Sequence, residues 1–382
     1  MARSSRCDRD EFEKYQITGI RDSTVGLFRV LLILIFFVTG VVIGLTSSSH
    51  ISWYFSLQGD RRYNSNNNDN HYNSFKKFNC SNNHSMLDDE LFWRASMVPK
   101  KEEFPFTRVP TVAFMFLTRG SLPFLSLWEL FFKGHQKFFT IYVHAPPGYE
   151  FNSYVSRNSP FYNSQIPSQK VEWGSVTLID AERRLLANAL LDFSNERFVL
   201  ISESCIPIYR FQTVYNYLLQ SDHSFVESYD DPSRYGRGRY SRYMWPTIRL
   251  SDWRKGSQWF EIQRSLAIAL VSDTKYYKLF RKYCKPSCYP DEHYIPTLLN
   301  MFYGSTNANR TVTYVDWALG GPHPTSYGKS NITEGFIESI RNNGTRCSYN
   351  SGKTTVCYLF ARKFSPDALE PLMNLASTVM KF

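Results

Sequence analysis

From residue 109 onward the chain alternates short, apolar, β-rich runs with segments of helical periodicity, and this order restricts the possible folds more than any other feature. Residues 111–117 (TVAFMFL) form an unbroken apolar run, as expected of a strand buried on both faces. A Thr118-Arg119-Gly120 turn follows, after which Leu127, Trp128, Phe131 and Phe132 recur at helical spacing. Residues 138–144 (FFTIYVH) read as a second strand and 175–180 (SVTLID) as a third, with Asp180 placed to cap a helix through AERRLLANALLDF. Residues 197–202 (RFVLIS) give a fourth strand, 211–219 a helix and 224–228 (SFVES) another strand. Farther on, GSQWFEI reads as a strand, QRSLAIALVSD and DEHYIPTLLNMF as helices, and TVTYVDW as a strand. A helix ITEGFIESI stopped at Asn342-Asn343-Gly344 and an extended run TTVCYLFARKF complete the chain. The pattern predicts an α/β fold with a mostly parallel sheet, in which ligands bind beyond the carboxyl ends of the strands.

The amino-terminal part obeys a different rule. Residues 30–45 (VLLILIFFVTGVVIGL) are 16 uncharged residues in a row. With 25–29, and Arg29 snorkelling to the interface, the run reaches roughly 20 residues and can span a thin bilayer. Arg3, Arg6, Arg9, Lys14 and Arg21 precede it, so the positive-inside tendency keeps the tail 1–24 cytosolic. Thr46-Ser47-Ser48-Ser49 is a poor cleavage site, which makes 25–45 an uncleaved anchor rather than a removable leader. Residues 46–107 contain the polar stretch YNSNNNDNHYNS and suit a lumenal stem, leaving 108–382 as the large lumenal domain. Five Asn-x-Ser/Thr sequons, at Asn79, Asn83, Asn309, Asn331 and Asn343, all fall on that lumenal side. Cys7 is cytosolic, whereas Cys80, Cys205, Cys284, Cys288, Cys347 and Cys357 face an oxidising compartment with their pairing open. Cys284 and Cys288 form a C-x₃-C with no second Cys/His pair at zinc spacing, so they read as disulfide-forming and not metal-binding.

The net charge of +10 is spread along the chain with no zinc-finger spacing or lysine-rich tail, which excludes a nucleic-acid binder and suits a nucleotide diphosphate. Most of the 30 Phe, 25 Tyr and 8 Trp lie in strand-like runs and read as core, so few are left to stack on sugars. Group transfer to a hydroxyl needs a base and positive charge for a departing diphosphate. Asp291-Glu292-His293 stands at a predicted helix start, where an ionised carboxylate is favoured and can accept a proton; first-turn acids are also ordinary caps. A lumenal Asp-x-Asp for a metal is missing: Asp8-Arg9-Asp10 is on the cytosolic side, and Asp230-Asp231 reads as a turn with Pro232. Without a metal, basic groups must neutralise the diphosphate. Two clusters qualify, Arg234, Arg237, Arg239 and Arg242 in a Gly/Tyr-rich loop, and Arg362-Lys363. Glu227, at the end of a predicted strand, can bind sugar hydroxyls, and Trp317 can supply a stacking face, as can the pair Glu172 and Trp173. Ser202-Glu203-Ser204-Cys205 lacks the glycine frame of a hydrolase nucleophile elbow.

From about residue 112 to 364 the chain resembles the core-2/I-branching β-1,6-N-acetylglucosaminyltransferase family, above all its plant-type branch. The resemblance is carried by AFMFLTRG, IYVHA, VEWGSVTLIDAERRLLANALLD, RFVLISESCIPI, FVESYDDP, KGSQWFEI, CYPDEHY, VDWALGGPHP and LFARKF, in that order. It implies a type II Golgi membrane protein whose domain 108–382 is an anomer-inverting, metal-independent glycosyltransferase with a GT-A-like, Rossmann-type fold. It further implies a UDP-sugar donor, carrying N-acetylglucosamine or glucuronic acid, a glycan or glycoprotein acceptor, and no cofactor. Carried over, Glu292 in PDEH matches the catalytic base, Glu227 an acceptor-binding acid and Trp317 an acceptor-side aromatic. Lys363, beside Arg362, matches a diphosphate-binding lysine, and the expected partner arginine is Arg341 or Arg346. Ala145-Pro146 replaces an acid of animal members, and Leu319 replaces a second aromatic after Trp317, so donor-base and acceptor contacts depart from theirs. The alternative is a non-catalytic lumenal glycan-binding protein, which would bind glycan without releasing UDP. A secreted glycoside hydrolase would instead need two carboxylates roughly 5 to 9.5 Å apart across one sugar.

Overall fold

The computed structural model describes residues 84–99, 104, 107–285 and 288–382, and a short helical stretch at 32–35 and 37–39. It divides into a unit 1–76, of which only that stretch is described, and a unit 77–382. Most of the predicted span 25–45 lies outside the described residues, as do the tail 1–24, Cys7, Cys80, Asn79 and Asn83. Among the described residues no helix is long and apolar enough to cross a membrane.

The larger unit begins with α1 (Asp88–Ser96), β1 (Thr111–Leu117), α2 (Leu125–Phe132), β2 (Phe139–His144), α3 (Thr177–Leu190) and β3 (Asn195–Ser202). The short β4 (Ile206–Pro207) and α4 (Phe211–Leu219) follow, then β5 (Glu261–Gln263), α5 (Arg264–Ser272), α6 (Lys275–Tyr283), α7 (Tyr294–Leu298) and β6 (Thr313–Val315). The chain closes with α8 (Glu334–Arg341), a hairpin of β7 (Cys347–Tyr349) and β8 (Gly352–Thr354), β9 (Phe360–Arg362) and α9 (Leu369–Leu375).

The main sheet has the order β2-β1-β3-β5, with β1 parallel to both β2 and β3 and only β5 antiparallel. All seven residues of β1 are buried, because it is a central strand covered on both faces. Its alternation divides the core: Val112, Phe114 and Phe116 join Trp128, Phe132 and Phe211 of α2 and α4, while Ala113, Met115 and Leu117 join Leu185, Leu190 and Leu266 of α3 and α5. The first layer is aromatic, with Phe114 and Phe132 edge-to-face at 4.9 Å and Phe116 and Trp128 at 5.1 Å, so these rings serve packing as expected. A second sheet, β4-β9-β6, adjoins this layer through Phe360 and Ala361.

Several elements differ from the sequence reading. SVTLID is not a strand: Glu172 N donates to Thr177 Oγ1 at 2.8 Å, closing a turn, and α3 starts at Thr177. Leu178, Ala181 and Leu185 then bury at helical spacing, so the run's apolar residues belong to the first turns of the helix. Asp180 consequently is no cap; its carboxylate accepts from the Tyr277 hydroxyl and faces Arg281 at 3.5 Å. That partner helix, α6, escaped the reading because Phe280 is its one buried residue. SFVES forms only isolated bridges, Ser224 to Asn307 and Phe225 to Glu261. GSQWFEI shrinks to β5, and DEHYIPTLLNMF divides into a 3₁₀ turn Pro290–Glu292, α7 and a π-helical turn Leu299–Tyr303. Within the stretch read as stem, α1 buries Leu91 and Ala95 in the α3/α5 core.

Candidate active site

Glu292 closes the 3₁₀ turn Pro290–Glu292 and does not open an α-helix. Neither this turn nor α7 has a side-chain cap, so Asp291 does not take the capping role expected of it. The preceding Tyr289 has φ 52°, in the left-handed region that a bulky residue enters at a cost of about 1–3 kcal/mol. What offsets that strain is packing of its ring against the Arg239 guanidinium, 4.0 Å from the ring centroid, and the Trp173 indole, edge-on at 5.1 Å.

The Glu292 carboxylate is clamped by two cations. Arg239 Nη1 and Lys255 Nζ each donate to its Oε2 at 2.8 Å, and the side chain is about one-fifth exposed, so the clamp holds a reachable anion in place. Its neighbours behave differently. Asp291 is buried with Oδ1 unpartnered, and burial, reinforced by the Glu292 charge, pushes its carboxyl up to about 7. Burial likewise raises the carboxyl of Glu182 on α3 well above its usual range, with the Asp291 charge adding to the effect and a 3.1 Å hydrogen bond from Gln258 Nε2 opposing it. His293 is buried, its ring lowered to about 4 by burial, with Nδ1 2.9 Å from Arg254 O.

One segment, 255–259, braces the whole region. Lys255 reaches Glu292, and Gly256 N donates to the Glu292 carbonyl at 2.9 Å. Only glycine fits at 256, because a Cβ there would stand 2.0 Å from the Glu227 carbonyl oxygen. Ser257 N bonds to the Glu227 carboxylate, whose pKa is raised because burial outweighs the opposing effects of this bond and of the Lys255 charge. Gln258 binds Glu182, and the Trp259 ring lies 4.3 Å from the Arg362 guanidinium. Glu227 and Glu292 thus flank one lysine although they lie on separate segments. Sequence reasoning singled out neither Lys255 nor Gly256, since a lysine and a glycine before a strand-like run carry no signal of their own.

A second basic cluster lies where the parallel strands β1 and β3 end. Phe364 N donates to Ser204 O at 3.1 Å, joining the exit of β9 to that of β3. Arg362 and Lys363 emerge there, both pKa values lowered chiefly by burial, with Arg119 adding to the effect and Glu203 opposing it. Arg119, directly after β1, pairs with Glu203 at 2.8 Å. Arg362 Nε is buried without a hydrogen-bond partner among the described residues, while the same side chain bonds to Cys205.

The remaining candidates scatter. Trp317 is half-exposed on the loop after β6, and His323 of the same loop touches Trp173 at 5.7 Å, bringing that loop towards Glu292. Leu319 is exposed. Arg341 is committed elsewhere, donating to Val379 O at 2.9 Å and lying over Tyr209, while Arg346 is an exposed residue ahead of β7. Glu172 pairs with Lys170 at 3.0 Å. Asp230 holds Arg237, and Asp231 accepts from Ser233 N at 2.8 Å, so these aspartates form the turn expected of them. Arg239 is the member of the Arg234, Arg237, Arg239 and Arg242 cluster that contacts Glu292. Asn309, Asn331 and Asn343 are exposed. Disulfides join Cys284 to Cys288 and Cys347 to Cys357, and Cys205 is a buried thiol.

The sequence profile of the family described as "Branch: Core-2/I-Branching enzyme" matches residues 112–341. The chain is 36% identical over 309 residues to the Oryza sativa subsp. japonica protein named "Glycosyltransferase BC10", an alignment covering 69% of this chain and 76% of that protein.

Proposed function

Because the chain belongs to the core-2/I-branching enzyme family and is a glycosyltransferase, we propose that it moves N-acetylglucosamine or glucuronic acid from a UDP-sugar to a glycan hydroxyl by a single, inverting displacement without a metal. The observation that carries this reading is the clamped Glu292 carboxylate beside Glu227, with the partly buried pair Arg362 and Lys363 joined to it through segment 255–259. Arg239 and Lys255 both bond to Oε2, which leaves Oε1 to take the proton from the acceptor hydroxyl. The acceptor oxygen then bonds to the anomeric carbon from one side as the bond to UDP breaks on the other, inverting the centre. Charge gathering on the departing diphosphate is met by Lys363 and Arg362, with Arg119 in reach of the same Glu203. Glu227 and Trp317 bind the acceptor, while Arg341, held by Val379 and Tyr209, is left out of the donor side. The mostly parallel sheet, with basic groups past its strand ends, supports a GT-A-like assignment.

The same reading puts the protein in the Golgi membrane, amino terminus in the cytosol and domain 108–382 in the lumen, where the exposed sequons would be glycosylated. The deciding experiment is a donor screen on the full chain scored by UDP release and by product analysis, run with and without EDTA. Transfer that persists in EDTA and yields the inverted anomer supports the proposal. Loss of activity restored by Mn²⁺ overturns metal independence, and glycan binding with no UDP release overturns the enzyme mechanism. For topology, enzymatic deglycosylation should lower the apparent mass, and the domain should resist protease in sealed microsomes; the opposite pair of results defeats it.

A further inference from the structure

Beside Glu292 runs a row of side chains of which the proposed chemistry uses only Arg239. The Arg239 guanidinium contacts two tyrosine rings, 4.0 Å from the centroid of Tyr289 and 5.7 Å from that of Tyr235. Arg234 covers Tyr235 at 4.7 Å, and Trp173 meets Tyr289 at 5.1 Å. Arg234, Tyr235, Arg239, Tyr289 and Trp173 therefore form a continuous ladder of cations and rings passing the carboxylate, with Tyr235 50% and Trp173 64% exposed. Burial would be the default for such rings, so their exposure beside a reactive group calls for an occupant.

The ladder is built on a fixed loop. A Cβ at Gly236 would lie 2.3 Å from Asp231, and Trp253 Nε1 donates to Gly236 O at 3.1 Å, which seats the loop on the core. Residues 230–254 carry six arginines against three aspartates. Asp230 is taken by Arg237, whereas Arg234 has no carboxylate within ion-pair distance among the described residues. A ring face takes the C–H face of a sugar, and an unmatched guanidinium takes a carboxylate through paired hydrogen bonds.

We propose that this ladder is an acceptor subsite for an acidic glycan, whose uronic-acid carboxylate pairs with Arg234 while neighbouring sugar rings lie on Tyr235 and Trp173. The inference rests on Glu292 as the reaction centre. It adds the chemical class of the acceptor, which that assignment leaves open.

The test compares a uronic-acid-bearing oligosaccharide with the same oligosaccharide after reduction of its carboxyls to alcohols, using the full chain. The acidic form should have a KM roughly tenfold lower, the worth of one charge-assisted hydrogen bond, and the gap should close as salt rises. Arg234→Gln should abolish the gap while KM for the UDP-sugar and the melting temperature hold; Trp173→Ala should raise KM for both glycans, and Trp173→Phe restore it. Equal KM values for the two glycans, or an unaltered gap in Arg234→Gln, overturn the subsite. Hydrolysis of the donor without acceptor reports the reaction separately. A protein that hydrolyses donor yet uses both glycans equally loses only the subsite, and one that never releases UDP but binds the acidic glycan more tightly keeps the subsite and loses the reaction.

Discussion

Lys255 Nζ lies 2.8 Å from Glu292 Oε2 across 37 positions of sequence, and the same carboxylate oxygen receives Arg239. A base held by two cations cannot rotate away from its substrate. The pairing makes Glu292 the first residue to test. Glu292→Gln keeps the shape but cannot accept a proton, so turnover should fall by roughly 10²- to 10⁴-fold. Because the side chain is partly exposed, the melting temperature should change little. Rates within a few-fold of wild type would move the base elsewhere, with Glu227 next.

Asp291 gives a pH test with a defined sign. Its folded carboxyl stands at about 7, while in the unfolded chain it titrates near about 4. A raised acid leaves the folded state holding the proton longer than the unfolded one, so stability falls as pH climbs from about 4 through 7 and then levels. Glu182 shifts the same way and adds to the slope. Asp291→Asn mimics the protonated acid. Its melting temperature, scanned from pH 4 to 8, should gain on wild type through that window and show a shallower decline. Parallel curves would mean that Asp291 ionises normally.

Two glycines predict opposite outcomes for one substitution. At Gly256 a Cβ would meet Glu227 O at 2.0 Å and Pro296 Cγ at 2.9 Å, both in rigid surroundings. Gly256→Ala should destabilise by about 1–3 kcal/mol or more and impair transfer, because Glu227 and Glu292 both lean on that backbone. Gly335, in α8, has nothing within 4 Å of its would-be Cβ. Gly335→Ala should be neutral or stabilise by up to about 1 kcal/mol through helix propensity. Thermal melts of the two variants decide it, and similar values for both would contradict the geometry.

Lys363→Ala should act on the donor side. With that cation gone the diphosphate is less well neutralised, so KM for the UDP-sugar and the inhibition constant for UDP should both rise, while acceptor KM holds. Initial-rate kinetics with each substrate varied in turn separates these; a change confined to acceptor KM would move Lys363 to the other side of the site.

The Cys347 to Cys357 disulfide closes a ten-residue separation around the β7/β8 hairpin. By loop entropy, replacing both cysteines with serine should cost about 2–3 kcal/mol. The variant should melt lower in denaturant yet keep its KM values, because the hairpin contributes no residue to the Glu292 clamp. Loss of acceptor affinity would place the hairpin in the site.

The amino-acid order alone determined the α/β class, the strands β1, β2 and β3, the helices α2, α4, α5 and α8, and Glu292, Glu227 and Arg362-Lys363 as sites of interest, because apolar periodicity and short motifs are local properties. It misjudged SVTLID, where a side-chain turn at Thr177 turned an apparently strand-like run into a helix, and it passed over α6, which buries almost nothing. Asp291 read as a cap because first-turn acids usually are; burial against Glu182, visible only in three dimensions, gives it a different state. The clamp on Glu292 from Arg239 and Lys255, the seat of Gly256 against Glu227 and the ladder from Arg234 to Trp173 are contacts between distant segments. Nothing local encodes such contacts, since they exist only once the core has packed and set the loops that carry these side chains at fixed distances.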